Sequence, residues 1–191
     1  MPEKTRPYEL KQVEARVYLG QAGALYSKVP VTTPDAAIEV IREAMSQYDR
    51  EYFSMLSLNN KNEVLCYSVV SIGSSNEAIV QTSKVFLPAI LSGGVNIIAF
   101  HCHPSGDVSP SEADRSVTRN LIEAGRILDI HLLDHMIIGG GTGDYYSFHT
   151  HEPEMFAQSS RTLVAETGAE ATGAYSAEKY KLALLENPRS S

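Results

Sequence analysis

Residues 95–114 read VNIIAFHCHPSGDVSPSEAD, and the fold turns on them. Val95, Ile97, Ile98, Ala99 and Phe100 are apolar at odd and even positions alike. The strand they predict, over 95–103, is therefore covered on both faces and central in its sheet. Pro104 stops the strand and Gly106 permits a tight turn. Ser109-Pro110-Ser111-Glu112 then predicts a helix start. Ser109 stands three residues before Glu112, the spacing of a capping box, and Pro110 suits the first helical turn. Ala113, Val117, Leu121 and Ala124 recur at helical spacing and predict the buried stripe of that helix. It runs to about residue 128 and tolerates Gly125 at some cost.

Working outward, a second buried strand is predicted over 130–138, broken by Gly139-Gly140-Gly141, with a final strand over 144–149. Upstream, Thr33-Pro34-Asp35 reads as a helix cap, a first helical position and a favourable charge at the positive end of the dipole. Ile38, Ile41 and Met45, with Ala37 and Ala44, form its apolar stripe. Strands follow over 51–58 and 63–71, joined by a hairpin loop at Asn59-Asn60-Lys61-Asn62. A short strand over 77–81 and a helix over 83–91, stopped by Gly93-Gly94, complete this part. Residues 1–33 read as a polar arm with one short strand near 14–19. Residues 151–191 read as a linker rich in Ala, Ser, Thr, Gly and Glu with a terminal helix over 176–186. Helices and strands in this order give a mixed α/β (α+β) sheet sandwiched by helices, occupying 34–150.

Composition bounds the function. The chain has 191 residues, 43% of them apolar and 20% charged, which is ordinary for a folded domain. No apolar run approaches the roughly 18 residues that span a bilayer. MPEKTRPYEL lacks the apolar core of a secretory signal. Two cysteines, Cys66 and Cys102, make no disulfide framework, so a reducing cytoplasm is the expected compartment. A net charge of -7 gives little general attraction to nucleic-acid phosphates.

The chemistry concentrates at the end of the central strand. His101 and His103 are two apart, so both leave by one face while Cys102 faces the other way and is expected to pack. Two imidazoles side by side are half a metal site. Ser111 and Asp114 are three apart and share a helical face. If that face looks back at the strand end, Asp114 completes a His-His-Asp set and leaves a fourth tetrahedral position for water, the pattern of a catalytic zinc. Iron and nickel suit the same donors. Singly, each of these residues is commonplace; the joint pattern carries the reading.

H-x-H-P, six residues, Ser, two residues, Asp is the signature of the JAMM (JAB, MPN+) metalloproteases, and it stands here from His101 to Asp114 without a gap. HPSGDVSPSEAD, with LDHMIIGGG and YYSF behind it, resembles the RadC branch over about residues 34–149. The resemblance implies a JAB/MPN-like curved mixed sheet flanked by helices, with cytidine-deaminase-like layering and one zinc per chain. It implies that His101, His103 and Asp114 hold the zinc and that Ser111 helps hold the oxyanion. It also implies a glutamate at the entry to the first strand as general acid/base. Glu51 occupies that place; Glu63, after the hairpin turn, is the alternative. The implied activity is hydrolysis of a peptide or isopeptide-like amide in a peptide or protein substrate. The competing reading is a RadC-type DNA-repair-associated accessory protein with a DNA-associated partner, although residues 1–33 are too short for the helix-hairpin-helix segment such proteins often carry. An MPN-type scaffold without metal is a third class, and the intact ligand set speaks against it. His131 and His135 are placed on one face of the later strand, beside Asp134, as orienting groups or as hydrogen-bonded sheet histidines. His149 and His151 read as exposed. The glycines of 139–143 are no phosphate loop, because no Lys-Ser/Thr follows.

Overall fold

The structure is a computed structural model that describes residues 29–45, 51–73 and 80–157. In chain order its elements are α1 (Pro34–Met45), β1 (Glu51–Leu58), β2 (Val64–Gly73), α2 (Thr82–Ser92), β3 (Asn96–His103), α3 (Glu112–Leu128), β4 (His131–Gly139), β5 (Tyr145–Ser147) and α4 (Phe148–His151). The strands form one mixed sheet in the order β2-β1-β3-β4-β5. β1 is antiparallel to both β2 and β3, β4 is parallel to β3, and β5 is antiparallel to β4. The parallel step is the one that needs a crossover, and α3 supplies it. Helices cover both faces of the sheet, as expected of a mixed α/β domain. Among the described residues no helix is long and apolar enough to cross a membrane.

Alternation along β3 sorts the core into two clusters. Ile98 and Phe100 face α1, where Ala37, Ile38 and Ile41 meet Leu56, Leu58 and Met136. Ile97 and Ala99 face α2 and α3, where Val85, Phe86, Ala89 and Leu121 meet Phe53 and Met55. By the same period of two, His101 and His103 belong to the α3 face and Cys102 to the α1 face. Cys102 is buried, and burial pushes its thiol pKa up. It is a packed thiol, as the alternation predicts.

Local chemistry fixes most of the ends. The Thr33 hydroxyl accepts the Ala36 N–H at 3.2 Å and caps α1. Gly93, at φ +72°, closes α2 in the left-handed conformation that a side chain would strain.

Four expectations are corrected. The cap of α3 is Ser111, not Ser109, so Asp114 stands in its first turn. Ser109 instead donates its N–H to the Asp107 carboxylate at 2.9 Å, which holds the loop before the helix. The buried positions of α3 are Asp114, Thr118, Leu121 and Gly125. Of the expected stripe Leu121 is buried, Val117 and Ala124 pack half-buried against the core, and Ala113 is exposed, because the polar Asp114 and Thr118 are turned inward in the first turns. The last strand ends at Ser147, where the hydroxyl accepts the Thr150 N–H and opens α4. Buried Asp134 anchors that turn, accepting the Ser147 hydroxyl at 2.6 Å and the His149 N–H at 3.0 Å. Finally, β4 carries an irregularity: His131 pairs with Asn96 but His135 with Ala99, three residues further along β3. One extra residue on β4, at Leu133, puts His131 and His135 on opposite faces.

The expected strand over 14–19 and the terminal helix over 176–186 lie outside the described residues. So do 77–79 of the expected strand over 77–81; Val80 and Gln81 lead into α2.

Gly125 is required, not merely tolerated. A methyl group there would lie 2.4 Å from the Ile130 carbonyl oxygen, where the chain leaves α3 for β4. Gly125→Ala is therefore expected to destabilise the fold by about 1–3 kcal/mol, read as a lowered Tm in thermal unfolding; an unchanged Tm would contradict this packing.

Candidate metal centre

The carboxyl ends of β3 and β4 lie side by side because the strands are parallel, and α3 begins beside them. His101 and His103 project from β3 toward α3, and Asp114 projects back from the first turn of the helix. One ligand atom from each of these three residues lies within 4.8 Å of the other two. The donors of a tetrahedral zinc sit roughly 3.3 Å apart, given metal–ligand bonds of about 2.0–2.1 Å. Two nitrogens and one oxygen gathered this closely fit such an ion with small closure.

Each donor is oriented by a further contact. His103 Nδ1 lies 2.7 Å from the Asp107 carbonyl oxygen, which only accepts, so the ring donates there and presents a bare Nε2. His101 Nδ1 lies 2.8 Å from Asp114 Oδ1. A cation would take the place of the proton between them. Asp114 Oδ2 accepts the Ser111 N–H at 2.8 Å and the Ser111 hydroxyl at 2.5 Å. The Ser111 oxygen in turn accepts the Asp114 N–H at 3.2 Å, completing a capping box. Burial pushes the Asp114 carboxyl upward, but the His101 ring and both Ser111 donors outweigh it and hold the group well below the usual carboxylate range. It is an anion, as a metal ligand must be.

The turn between strand and helix is braced from β4. The Gly106 N–H bonds to the His103 carbonyl at 3.1 Å, with Gly106 at φ +82°, and the Gly140 N–H bonds to the same carbonyl at 2.8 Å. A methyl group on Gly140 would lie 3.0 Å from Pro104 Cα and 3.2 Å from that carbonyl oxygen. The glycine run is thus no phosphate loop but a seat for the turn that follows the histidines. Arg115 and Glu152 brace the other side. The guanidinium bonds the Glu152 carboxylate at 2.9 Å through Nε and reaches the Pro110 carbonyl at 3.1 Å, while the Tyr146 hydroxyl donates to the same carboxylate at 2.9 Å. The start of α3 is tied in this way to the segment after α4.

Glu51 opens β1. β1 pairs with β3 as Tyr52 with Cys102 and Phe53 with His101, so continuing the register sets Glu51 opposite position 103. It shares a face with Phe53 and His101 and is half-buried. Glu63 lies beyond the other end of β1, where it accepts the Asn59 side-chain amide at 2.7 Å. A strand of this length spans about 24 Å, from a rise of about 3.4 Å per residue, so Glu63 is far from the histidines.

One residue of the neighbourhood, Thr118, escaped the sequence reading; His135, read there as an orienting group or a hydrogen-bonded sheet histidine, lies beside it. Thr118 and His135 are buried directly beneath the donors. The Thr118 hydroxyl lies 2.7 Å from the Asp114 carbonyl and 2.8 Å from His135 Nδ1. The His135 ring stacks on Phe148 at 5.1 Å and packs on Phe53 at 5.4 Å. The available signal was spacing: Thr118 lies four residues after Asp114 on the same helix. His151 is exposed as expected, but His149 is half-buried, its Nδ1 bonded to the Leu133 carbonyl at 2.8 Å and its ring stacked on Phe156.

A helix-flanked mixed sheet with a His-x-His strand end facing a helical aspartate is the arrangement of a JAB-type domain. A profile of the RadC-like JAB domain matches residues 31–153. The chain belongs to that family. Similar curated proteins include UPF0758 proteins from Caldanaerobacter subterraneus subsp. tengcongensis (42% identical over 139 residues, 70% of this chain and 58% of that protein) and Alkaliphilus metalliredigens (42% over 139 residues, 71% and 59%). Another, from Shouchella clausii, is 45% identical over 111 residues, 58% of this chain and 48% of that protein. The chain thus spans about half to three-fifths of the length of these relatives.

Two outcomes follow. Gly140→Ala is expected to displace the turn that orients His103 and, for a divalent ion held by the three donors, to weaken binding by about tenfold or more, measured by competition with a chromophoric chelator; unaltered affinity would remove the glycine seat from the site. Burial holds the His135 ring far below the ordinary imidazole value of 6.5, at about 3, the His101 charge adding to the effect. The unfolded chain therefore takes up this proton first, so the stability His135 contributes is complete above pH 6.5 and declines as pH falls toward 3. In denaturant titrations of the metal-free protein, His135→Asn is expected to flatten the loss of stability between pH 6.5 and 4.5; an identical slope would contradict the buried neutral ring.

Proposed function

We propose that this chain is a metal-dependent hydrolase of the JAMM type, with zinc as the metal and a peptide or isopeptide-like amide as the substrate. The convergence of His101, His103 and Asp114 within 4.8 Å carries this reading. Three protein donors with an open fourth position are the arrangement of a catalytic site, whereas a structural zinc is closed by four. A zinc ion held by these residues supplies Lewis-acid polarisation of a carbonyl and acidifies a water to near-neutral pKa.

The remaining work falls to the chain. Glu51, on the same sheet face and at the same sheet end as the histidines, is the base that takes a proton from the attacking water. The water oxygen bonds to the carbonyl carbon, the C–N bond breaks, and Glu51 returns the proton to the departing nitrogen. Ser111 is suited to the carbonyl oxygen as charge develops there. Its single hydroxyl proton lies on Asp114 in the structure, so this role requires the proton to turn from Oδ2 to the substrate. Asp114 would keep the Ser111 N–H, and the helix would stay capped.

Fluorogenic peptides and branched lysine isopeptides, assayed beside elemental analysis, test the proposal. Glu51→Gln is expected to lower turnover by about 10²–10⁴-fold while zinc stays near one per chain, and Asp114→Ala to lose the zinc. Full turnover by the Gln variant would remove Glu51 from the reaction, and a wild-type chain without affinity for zinc would end the hydrolase reading.

A further inference from the structure

His135 has one ring nitrogen bonded and the other bare. Thr118 owns a single hydroxyl proton and donates it to the Asp114 carbonyl at 2.7 Å, a group that only accepts. Toward His135 Nδ1, 2.8 Å away, the Thr118 oxygen is therefore the acceptor, and Nδ1 carries the ring proton. In the neutral ring this leaves Nε2 as a lone pair. That Nε2 is buried and has no hydrogen-bond partner among the described residues. Such an acceptor is rare in a folded protein and calls for a donor.

The neighbours narrow the choice. Phe148 stacks on the ring, and Phe53 packs against both His135 and His101, at 5.4 and 6.1 Å. Neither phenylalanine offers a donor. His135 pairs with Ala99, one pleat below His101 on the same sheet face. His101 turns Nδ1 toward Asp114 Oδ1 at 2.8 Å. A histidine that gives one nitrogen to a cation carries its proton on the other and hands it to an acceptor. Since His135 Nε2 touches no donor directly, the link needs an intermediary, and an internal water with a polar partner at each end serves.

We infer that His135 is a positioning residue of the metal centre: held by Thr118 as the Nδ1–H tautomer, it accepts through one internal water the Nε2–H of His101 and so keeps His101 Nδ1 facing Asp114. The inference rests on the metal reading of the preceding section. It joins β4 to the site along a second path, since Thr118 also holds the carbonyl of the ligand Asp114.

Nitrogen NMR of the full chain labelled at histidine, with and without zinc, tests it together with zinc competition on two variants. His135 is expected to show a protonated Nδ1 and a bare Nε2 in the metal-free protein, with the Nε2 resonance moving on zinc addition. His135→Asn keeps a donor toward Thr118 and lacks the distal acceptor; it is expected to weaken zinc binding by about 10–100-fold and to alter the cobalt-substituted spectrum. His135→Gln places an amide oxygen near the Nε2 position and is expected to recover most of that affinity. An Nε2–H tautomer, unaltered zinc affinity in the Asn variant, or equal losses in both variants would overturn the inference while leaving the metal reading intact. A wild-type chain that binds no zinc would overturn both. If neither variant folds, the wild-type resonances decide.

Discussion

Asp114 is shared between a helix and a site, and the rest of the centre depends on that sharing. Its Oδ2 takes the Ser111 N–H and hydroxyl, closing the first turn of α3, while its Oδ1 meets His101. A carboxylate at this helical position satisfies an orphan donor and lies at the positive end of the dipole. The helix therefore cannot be capped in this way without presenting an anion to the strand end. Placement of the carboxylate beside His101 and initiation of the helix are one event, and burying the charge is offset by hydrogen bonds already required for the fold.

The centre also uses a general property of open sheets. Parallel neighbours end together, and the crossover between them starts at that same end, so side chains from two strands and a helix start converge there. β3 contributes the histidines, α3 the aspartate, and the loop after β4 the glycines that let its backbone reach the His103 carbonyl. Antiparallel β1 brings its first residue, Glu51, to the same end.

Much of this was legible in the sequence. β1 was read to its observed ends, α2 to within a residue, and the histidine pair was assigned to one face from alternation alone, because period-two and period-3.6 patterns are local and apolar. What was missed is polar or non-local. The α3 cap was placed at Ser109 because Ser109 and Ser111 both precede an acidic residue by three; only the burial of Asp114 separates them. The stripe of α3 was right at Leu121 but took Ala113 and Val117 in place of Asp114 and Thr118, which are turned inward beside the histidines. The helical turn after Ser147 depends on Asp134, thirteen residues upstream and on another strand. Such tertiary hydrogen bonds leave no trace in local patterning.

The added residue in β4 has a consequence for how that strand tolerates change. Upstream of Leu133 the inward-facing positions have one parity, and downstream they have the other. Shortening the strand by a single residue there would exchange every downstream side chain between its two coverings. Asp134 would be drawn from the loop it organises, and the imidazole beneath the donors would be traded for a neighbour built for the opposite layer. Length at this point is thus as tightly constrained as the identity of any ligand.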